Sequence, residues 1–268
     1  MAQIGRRARQ RRNMAYVIGT VMFLVIAAIA SWAIYYQLTR PKGIDPVTLC
    51  PADGPIGHFV LLVDKTDPLT FTQEQSFKVS LRELIGKRIP QGYLFSVFVL
   101  GEDFKQTAEP LLELCNPGSG KGKSELTQNP EKLTRQYEAK FLEPLMAQTG
   151  AMLSVTPAKT SPIFEMLQLV GINAFRKHDV KGPRRLIVMS DMLHNTTQFS
   201  MYRGLVDYSV FATTDYGQKM RLQMPDVEVE IHYLMNTPQL QTKRNVDFWE
   251  AHFKKAGARI VEVQPLEG

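Results

Sequence analysis

The chain has 268 residues, enough for one domain of ordinary to large size and an additional segment. With 44% hydrophobic and 22% charged residues, it has the composition of a folded globular protein and not of a disordered one. The formal net charge is +6, but five arginines lie within the first twelve residues, and the remainder is close to neutral. The overall charge is therefore weak evidence for binding to nucleic acid, and we do not expect such a partner.

A basic segment and a long apolar segment begin the chain. Residues 1–13 form a basic tail, and residues 14–38 are almost entirely apolar. About 20 apolar residues suffice for a helix to cross a bilayer, and Trp32 and Tyr16 lie near opposite ends, where aromatic belts occur. We therefore predict one transmembrane helix over residues 14–38. A cleaved signal peptide is the alternative, although the apolar run is long for one and no A-x-A site ends it.

The distribution of basic residues around this segment predicts its orientation. Five arginines precede it, whereas only Arg40 and Lys42 follow it closely. The positive-inside rule places the N-terminus in the cytoplasm and everything after residue 40 outside. We therefore expect a single-pass protein of the inner or plasma membrane with an extracytoplasmic globular domain.

Residues 39–57 are rich in proline and glycine, which indicates either a linker or a segment wrapped tightly against the domain. Cys50 lies in this segment, and Cys115 is the other cysteine of the chain. In an oxidising compartment the two could form a disulfide, and two unpaired thiols are the alternative. There is no CxxC motif and no His/Cys cluster with zinc spacing, so we do not expect a structural zinc site.

Two short apolar runs end in hydroxyl and carboxylate side chains. Residues 59–63 lead directly into Asp64, and residues 185–189 lead into Ser190 and Asp191. Runs this short and apolar are typical of strands buried on both faces of a parallel sheet. Ligands of open α/β sheets bind just outside the carboxyl ends of the strands, so these side chains are candidates for one site.

The remaining pattern predicts an α/β domain over residues 58–268, with a mostly parallel central sheet flanked by helices, as in Rossmann-like folds. Further strands are expected at 93–100, 108–115 (an edge strand), 227–234 and 259–263. Helices are expected at 71–87, 134–148, 161–175 and 246–256. Residues 116–130 are predicted to form a loop, and 199–223 a loop with some helix.

Three segments of this domain resemble the metal-binding segments of von Willebrand factor A domains. They are Asp64-Lys65-Thr66, Ser161-Pro162-Ile163 and Ser190-Asp191, and the resemblance covers roughly residues 57–264. In that family a D-x-S/T-x-S loop follows the first strand, a Thr or Ser loop precedes a middle helix, and an aspartate follows the fourth strand. Together they form a metal-ion-dependent adhesion site, so the resemblance implies a protein-binding domain.

The resemblance implies a ligand set for Mg²⁺, which prefers hard oxygen ligands and retains several waters. The matching positions are Asp64 and Thr66 in the first loop, Ser161 or its neighbour Thr160 in the second, and Asp191 in the third. Pro68 stands where the family has a second serine. The nearby Asp67 either replaces that ligand or marks a degenerate site. The alternative is a metal-free descendant of the fold, in which these aspartates only cap loops.

Two enzyme classes fit this sequence poorly. Residues 117–124 (PGSGKGKS) resemble a phosphate-binding loop, but Pro117 replaces its opening glycine and no strong strand leads into it. A haloacid dehalogenase-type phosphohydrolase would need an aspartate where Thr66 stands. We therefore expect a membrane-anchored protein-binding module and not an enzyme, with a metal-free structural subunit of a membrane assembly as the alternative.

Overall fold

The computed structural model of the chain describes residues 2–39, 43–105, 108–120, 129–151, 158–204 and 207–266. They fall into two compact units, Met1–Gly43 and Ile44–Gly268. The first unit is a single helix, α1 (Ala2–Thr39), which contains both the predicted basic tail and the predicted span. Its stretch Tyr16–Leu38 is long and apolar enough to cross a membrane, and none of it is buried in the protein. An N-terminal apolar helix is therefore present, as predicted.

The second unit is built on a six-stranded sheet. Its strands are β1 (His58–Asp64), β2 (Leu94–Leu100), β3 (Leu112–Cys115), β4 (Arg184–Ser190), β5 (Val227–Leu234) and β6 (Arg259–Leu266). Their order across the sheet is β3-β2-β1-β4-β5-β6, and only the edge strand β3 is antiparallel to its neighbour. This is the strand order of doubly wound α/β sheets, so the predicted fold class is confirmed.

Helices cover both faces of the sheet. They are α2 (Phe71–Glu83), α3 (Pro130–Tyr137), α4 (Glu143–Ala151), α5 (Ile163–Val170), α6 (Tyr208–Phe211), α7 (Asp215–Lys219) and α8 (Lys243–Lys255). The π-helical turns Leu84–Arg88, Glu138–Leu142 and Gly171–Arg176 continue α2, α3 and α5, and a 3₁₀ turn spans Met201–Arg203. The predicted helix over 134–148 thus begins earlier, at Pro130, because Asn129 caps it and proline is tolerated in the first turn.

The neighbouring strands β1 and β2 are buried on both faces, as the continuous apolar run of β1 predicted. Every residue of β1 and β2 is buried. Alternate side chains point to opposite faces, so Val60 and Leu62 pack with α5 and α8, whereas Leu61 and Val63 pack with α2 and the helix that contains Phe141. Each such fully buried side chain contributes roughly 1.5–3 kcal/mol relative to exposure, which holds the strand ends in a defined register.

The segment before β1 packs tightly against the domain. Leu49 is buried, the Cys115 amide donates to the Thr48 carbonyl at 2.8 Å, and Cys50 and Cys115 form a disulfide. The chain then passes Gly182 so closely that a Cβ there would lie 1.8 Å from the Ile56 carbonyl oxygen. Residues 44–57 are therefore wrapped tightly against the domain and do not form a free linker. The two cysteines form the disulfide that was one of their two expected states.

Candidate metal site at the carboxyl edge of the sheet

Asp64 lies at the centre of the hydrogen-bond network at the carboxyl edge of the sheet. Its Oδ1 accepts from the amide and the hydroxyl of Thr66, at 2.9 and 2.6 Å. Its Oδ2 accepts from the hydroxyl of Ser190 at 2.7 Å and, more weakly, from that of Ser161 at 3.4 Å. A carboxylate offers about four lone-pair positions, and all four are used by groups of this chain. The buried Asp64 is thus fully hydrogen-bonded without a bound ion.

The loop after β4 places Asp191 beside Asp64. The Asp191 Oδ1 accepts from the Leu193 amide at 2.8 Å, and Oδ2 accepts from the Tyr202 hydroxyl at 3.3 Å. Gln241 donates to the Asp191 carbonyl at 3.0 Å. Met192, the residue after Asp191, has a φ of 54°, in the left-handed region that non-glycine residues rarely adopt. Side chains from other elements therefore hold this loop in a conformation that the sequence alone would not favour.

The second loop is positioned by pairing with the segment after Asp191. Ser161 and Asn195 exchange two backbone hydrogen bonds, of 2.8 and 3.0 Å. Ser161 is 5% exposed and directs its hydroxyl at Asp64. The neighbouring choice, Thr160, has no hydrogen bond to either aspartate in the part of the chain that the structure describes. Ser161 is thus the residue of this loop that contacts the network.

Three carboxyl groups are crowded at this edge. Burial, together with the negative charges of Asp64 and Asp67, raises the pKa of Asp191 to about 8. Burial also raises the pKa of Asp64. It raises that of Asp67 too, offset in part by a hydrogen bond with Asp191. Burial and mutual repulsion thus favour a proton held among these carboxyl groups, and a bound cation could take the place of that proton.

The oxygen donors fit a hard cation such as Mg²⁺. Thr66 and Ser161 donate their protons to Asp64, so their oxygen lone pairs remain free for a ligand. Asp67 and Asp191 add carboxylates, whereas Pro68 supplies no ligand. Among the described residues, no group of three or more His, Cys, Asp or Glu side chains is arranged to hold a metal ion, so a cation here would need the hydroxyls as well.

Sequence reasoning did not assign roles to two residues of this network. The Ser190-Asp191 segment predicts polar side chains at the end of a strand, but not the hydrogen bond from Ser190 to Asp64. Tyr202 lies within residues 199–223, for which the sequence predicts only loop and helix. The hydroxyl at the carboxyl end of β4 was a usable signal for Ser190, whereas nothing in the sequence indicated Tyr202.

The end of the phosphate-loop-like segment, residues 122–124, lies outside the described residues.

The strand order and these three loops match the arrangement that the resemblance to von Willebrand factor A domains implied. The DxT loop follows the first strand, the Ser161 loop precedes α5, and Asp191 follows the fourth strand, as the resemblance implied. The predicted fold class and the predicted positions of these three loops are thus confirmed.

Comparison with known proteins gives the following similarities. No protein-family model and no curated protein matches the chain. Among solved structures it is similar to the SpRpn10 VWA domain, with 11% identity, a TM-score of 0.37, and 79% of this chain and 89% of that chain covered. It is also similar to an aerotolerance-related membrane protein from Bacteroides fragilis, with 8% identity and a TM-score of 0.36. That match covers 77% of this chain and 91% of the other chain. The match to manganese-loaded TRAP protein from Plasmodium vivax has 18% identity and a TM-score of 0.27. It covers 65% of this chain and 56% of the other chain. Because these TM-scores are below 0.5, the fold assignment rests on the strand order and loops of this chain.

Proposed function

We propose that this protein is a membrane-anchored protein-binding module that acts through the carboxyl edge of its sheet. The observation that supports this function is the convergence of Asp64, Ser161 and Asp191, which come from three separate segments, at one edge. Such an edge is where ligands of open α/β sheets bind. The raised pKa of Asp191 indicates a site that gains free energy when a positive charge arrives.

The cation we propose is Mg²⁺, bound by the hydroxyls of Thr66 and Ser161 and the carboxylates of Asp67 and Asp191. Asp64 has no free lone pair, so we assign it the positioning of the two hydroxyls. The bound cation supplies a Lewis-acidic position for an acidic group of the partner. Because Pro68 removes one ligand of the family pattern, we expect weak affinity.

A metal-free structural role is the second candidate, and the saturation of Asp64 favours it. With four donors on Asp64 and a raised pKa at Asp191 that favours a neutral carboxyl, the edge forms a self-contained network. In that case the same surface would hold a neighbouring subunit of a membrane assembly. We propose a binding role and not catalysis, since no histidine is hydrogen-bonded to Thr66, Ser161 or Ser190 among the described residues.

Comparison of partners between variants tests this function. The full chain would be purified in mild detergent from membranes, and the co-purifying proteins would be quantified for the parent, Asp67→Ala and Asp191→Asn. We expect the same partner to be lost from both variants and retained by Glu250→Gln, which changes an exposed carboxylate on α8. Retention of every partner by both edge variants would contradict the proposal.

We further propose that the domain lies outside the cytoplasm. The arginine excess before the apolar stretch of α1 and the Cys50–Cys115 disulfide, a bond that persists in oxidising compartments, support this orientation. Protease added to intact spheroplasts should digest the domain. Protection in spheroplasts with digestion only after lysis would refute the orientation without affecting the binding proposal.

A further inference from the structure

A pocket of about 410 Å³ opens at the amino end of the sheet, far from the acidic edge. It lies between the π-helical turn after α5, the segment 221–225 and the first residue of β4, Arg184. Asp191 follows the other end of the same strand, and at about 3.3 Å per residue the two places are separated by roughly 20 Å. The pocket is therefore a separate feature from the candidate metal site.

Three arginines line this pocket together. Arg176 and Arg221 are exposed, and neither side chain has a hydrogen-bond or ion-pair partner among the described residues. Arg184 has only a long ion pair, 3.8 Å, with Asp226. Guanidinium groups present rigid forks of donors that suit phosphate and carboxylate oxygens. Two arginines with free donors beside a third that is only weakly paired form an anion-binding surface.

The charge of the lining matches a doubly charged group. Asp179 is the one acid among the lining residues, and it is already bonded to Lys181 at 2.7 Å. When the ion-pair partners Lys181 and Asp226 are counted with the three arginines and Asp179, four positive and two negative charges leave a net charge of +2. A phosphate monoester carries about −1.5 to −2 near neutral pH. A single carboxylate would balance only half of that charge.

The floor of the pocket is apolar and shaped by one glycine. Ile172, Phe175 and Leu222 line it, and Phe175 and Leu222 are buried. A Cβ at Gly171 would lie 3.3 Å from the Gln223 carbonyl oxygen, so the glycine allows the segment 222–224 to approach the helix closely. A volume of several hundred cubic ångströms with an apolar floor and few polar groups is typical of small-ligand sites.

We propose that this pocket binds a phosphate monoester carried on a small apolar body. Arg176, Arg184 and Arg221 bind the phosphate oxygens, and the apolar body packs against Ile172 and Leu222. The same chemistry occurs in a soluble organic phosphate and in a lipid with a terminal phosphate. The experiment below distinguishes the two sources.

The probe is phenyl phosphate, titrated calorimetrically into the detergent-solubilised full chain at constant ionic strength. We expect saturable binding that is at least tenfold weaker in the double variant Arg176→Gln/Arg221→Gln. The matched control is Arg82→Gln, which removes an exposed arginine on α2 and should bind like the parent. Both altered arginines are exposed, so the double variant should fold, and its thermal unfolding would be recorded alongside.

Two competitors identify the source, and a third probe tests the charge match. Displacement of phenyl phosphate by dihexanoyl phosphatidic acid but not by glycerol 3-phosphate would support a lipid source, and the reverse would support a soluble organic phosphate. Benzoate should bind at least tenfold more weakly than phenyl phosphate. Absence of binding, equal binding of benzoate, or equal affinity in the parent and the double variant would overturn the proposal. None of these outcomes depends on the carboxyl edge, so the proposed partner-binding role is tested independently.

Discussion

The hydroxyl of Ser190 donates a 2.7 Å hydrogen bond to the carboxylate of Asp64, which joins the carboxyl ends of the neighbouring parallel strands β4 and β1. Both residues are buried, and the same hydroxyl accepts from the Met192 amide at 2.9 Å. Ser190 thus links the central aspartate to the loop that holds Asp191. Its position indicates that the edge depends on a hydroxyl that the family motif, as carried over to this sequence, did not include.

Replacement of this hydroxyl should destabilise the domain more than replacement of the other serine. We expect Ser190→Ala to lower the free energy of unfolding by about 1.5–3 kcal/mol, because a hydrogen bond to a charged acceptor is lost in a buried site. Ser161→Ala should cost less, since its bond to Asp64 is 3.4 Å long. Urea unfolding of the full chain in detergent measures both. A larger loss for Ser161→Ala would contradict this ranking.

Divalent cations should stabilise the fold if the carboxyl edge binds them. At a hundredfold excess over the dissociation constant, Mg²⁺ should add about 2.7 kcal/mol to the free energy of unfolding by linkage. Thermal unfolding would be compared in EDTA, Mg²⁺ and Mn²⁺ for the parent, Asp191→Asn and Asp64→Asn. We expect the increase to vanish in both variants and to persist in Glu250→Gln. Identical melting of the parent under all three conditions would favour the metal-free structural role.

Removal of the disulfide should weaken the domain markedly. The bond joins residues separated by 65 positions, and the chain-entropy model assigns about 4 kcal/mol to a loop of this length. The variant Cys50→Ala/Cys115→Ala should lose stability of that order, and reduction of the parent should lose as much. Chemical unfolding with and without reductant makes the comparison. Two thiols that alkylate freely in denatured, unreduced protein would show that the bond does not form.

Acid should destabilise the domain through its buried histidines. His252 packs against the rings of Phe164, Tyr208 and Trp249, and neither ring nitrogen has a hydrogen-bond partner in the described part of the chain. Burial lowers its pKa to about 4, below the ordinary value of 6.5. The stability that its neutral form contributes is therefore fully present above pH 6.5 and is lost as the pH falls toward 4, by about 1.4 kcal/mol per pH unit.

The variant His252→Leu tests this titration. It should remove that part of the pH dependence between pH 6.5 and 4 and should be no less stable than the parent at pH 5, since it removes two unpaired buried polar atoms. His58 and His194 also have pKa values lowered to about 3 by burial, so some pH dependence will remain. Unfolding measured at pH 7, 6 and 5 gives the slopes. An unchanged slope in the variant would show that His252 does not titrate in this way.

Much of the architecture was predictable from local pattern. The apolar runs of β1 and β4 directly predict strands, because a strand buried on both faces has no polar positions to interrupt it. The placement of Asp64 and Asp191 at one edge then follows, since parallel strands that lie side by side end at the same edge. The wrap before β1 was less clear, because Pro- and Gly-rich segments can either pack or span, and its contacts with Cys115 depend on residues far along the chain.

By itself, the sequence determined the apolar N-terminal helix, the α/β class, and the carboxylates and hydroxyls available at the sheet edge, because each is encoded in a short run of neighbours. Only the tertiary structure decided which hydroxyl contacts Asp64, since Ser190 lies 126 positions away and reaches it through the β1–β4 register. The tertiary structure also decided the burial of β5. Its alternating sequence VEVEIHYL is typical of a strand with one solvated face. Glu230 is nevertheless 1% exposed, because Arg88 and His232 bind its carboxylate. Long-range pairing of this kind depends on packing between distant elements, which no local pattern records.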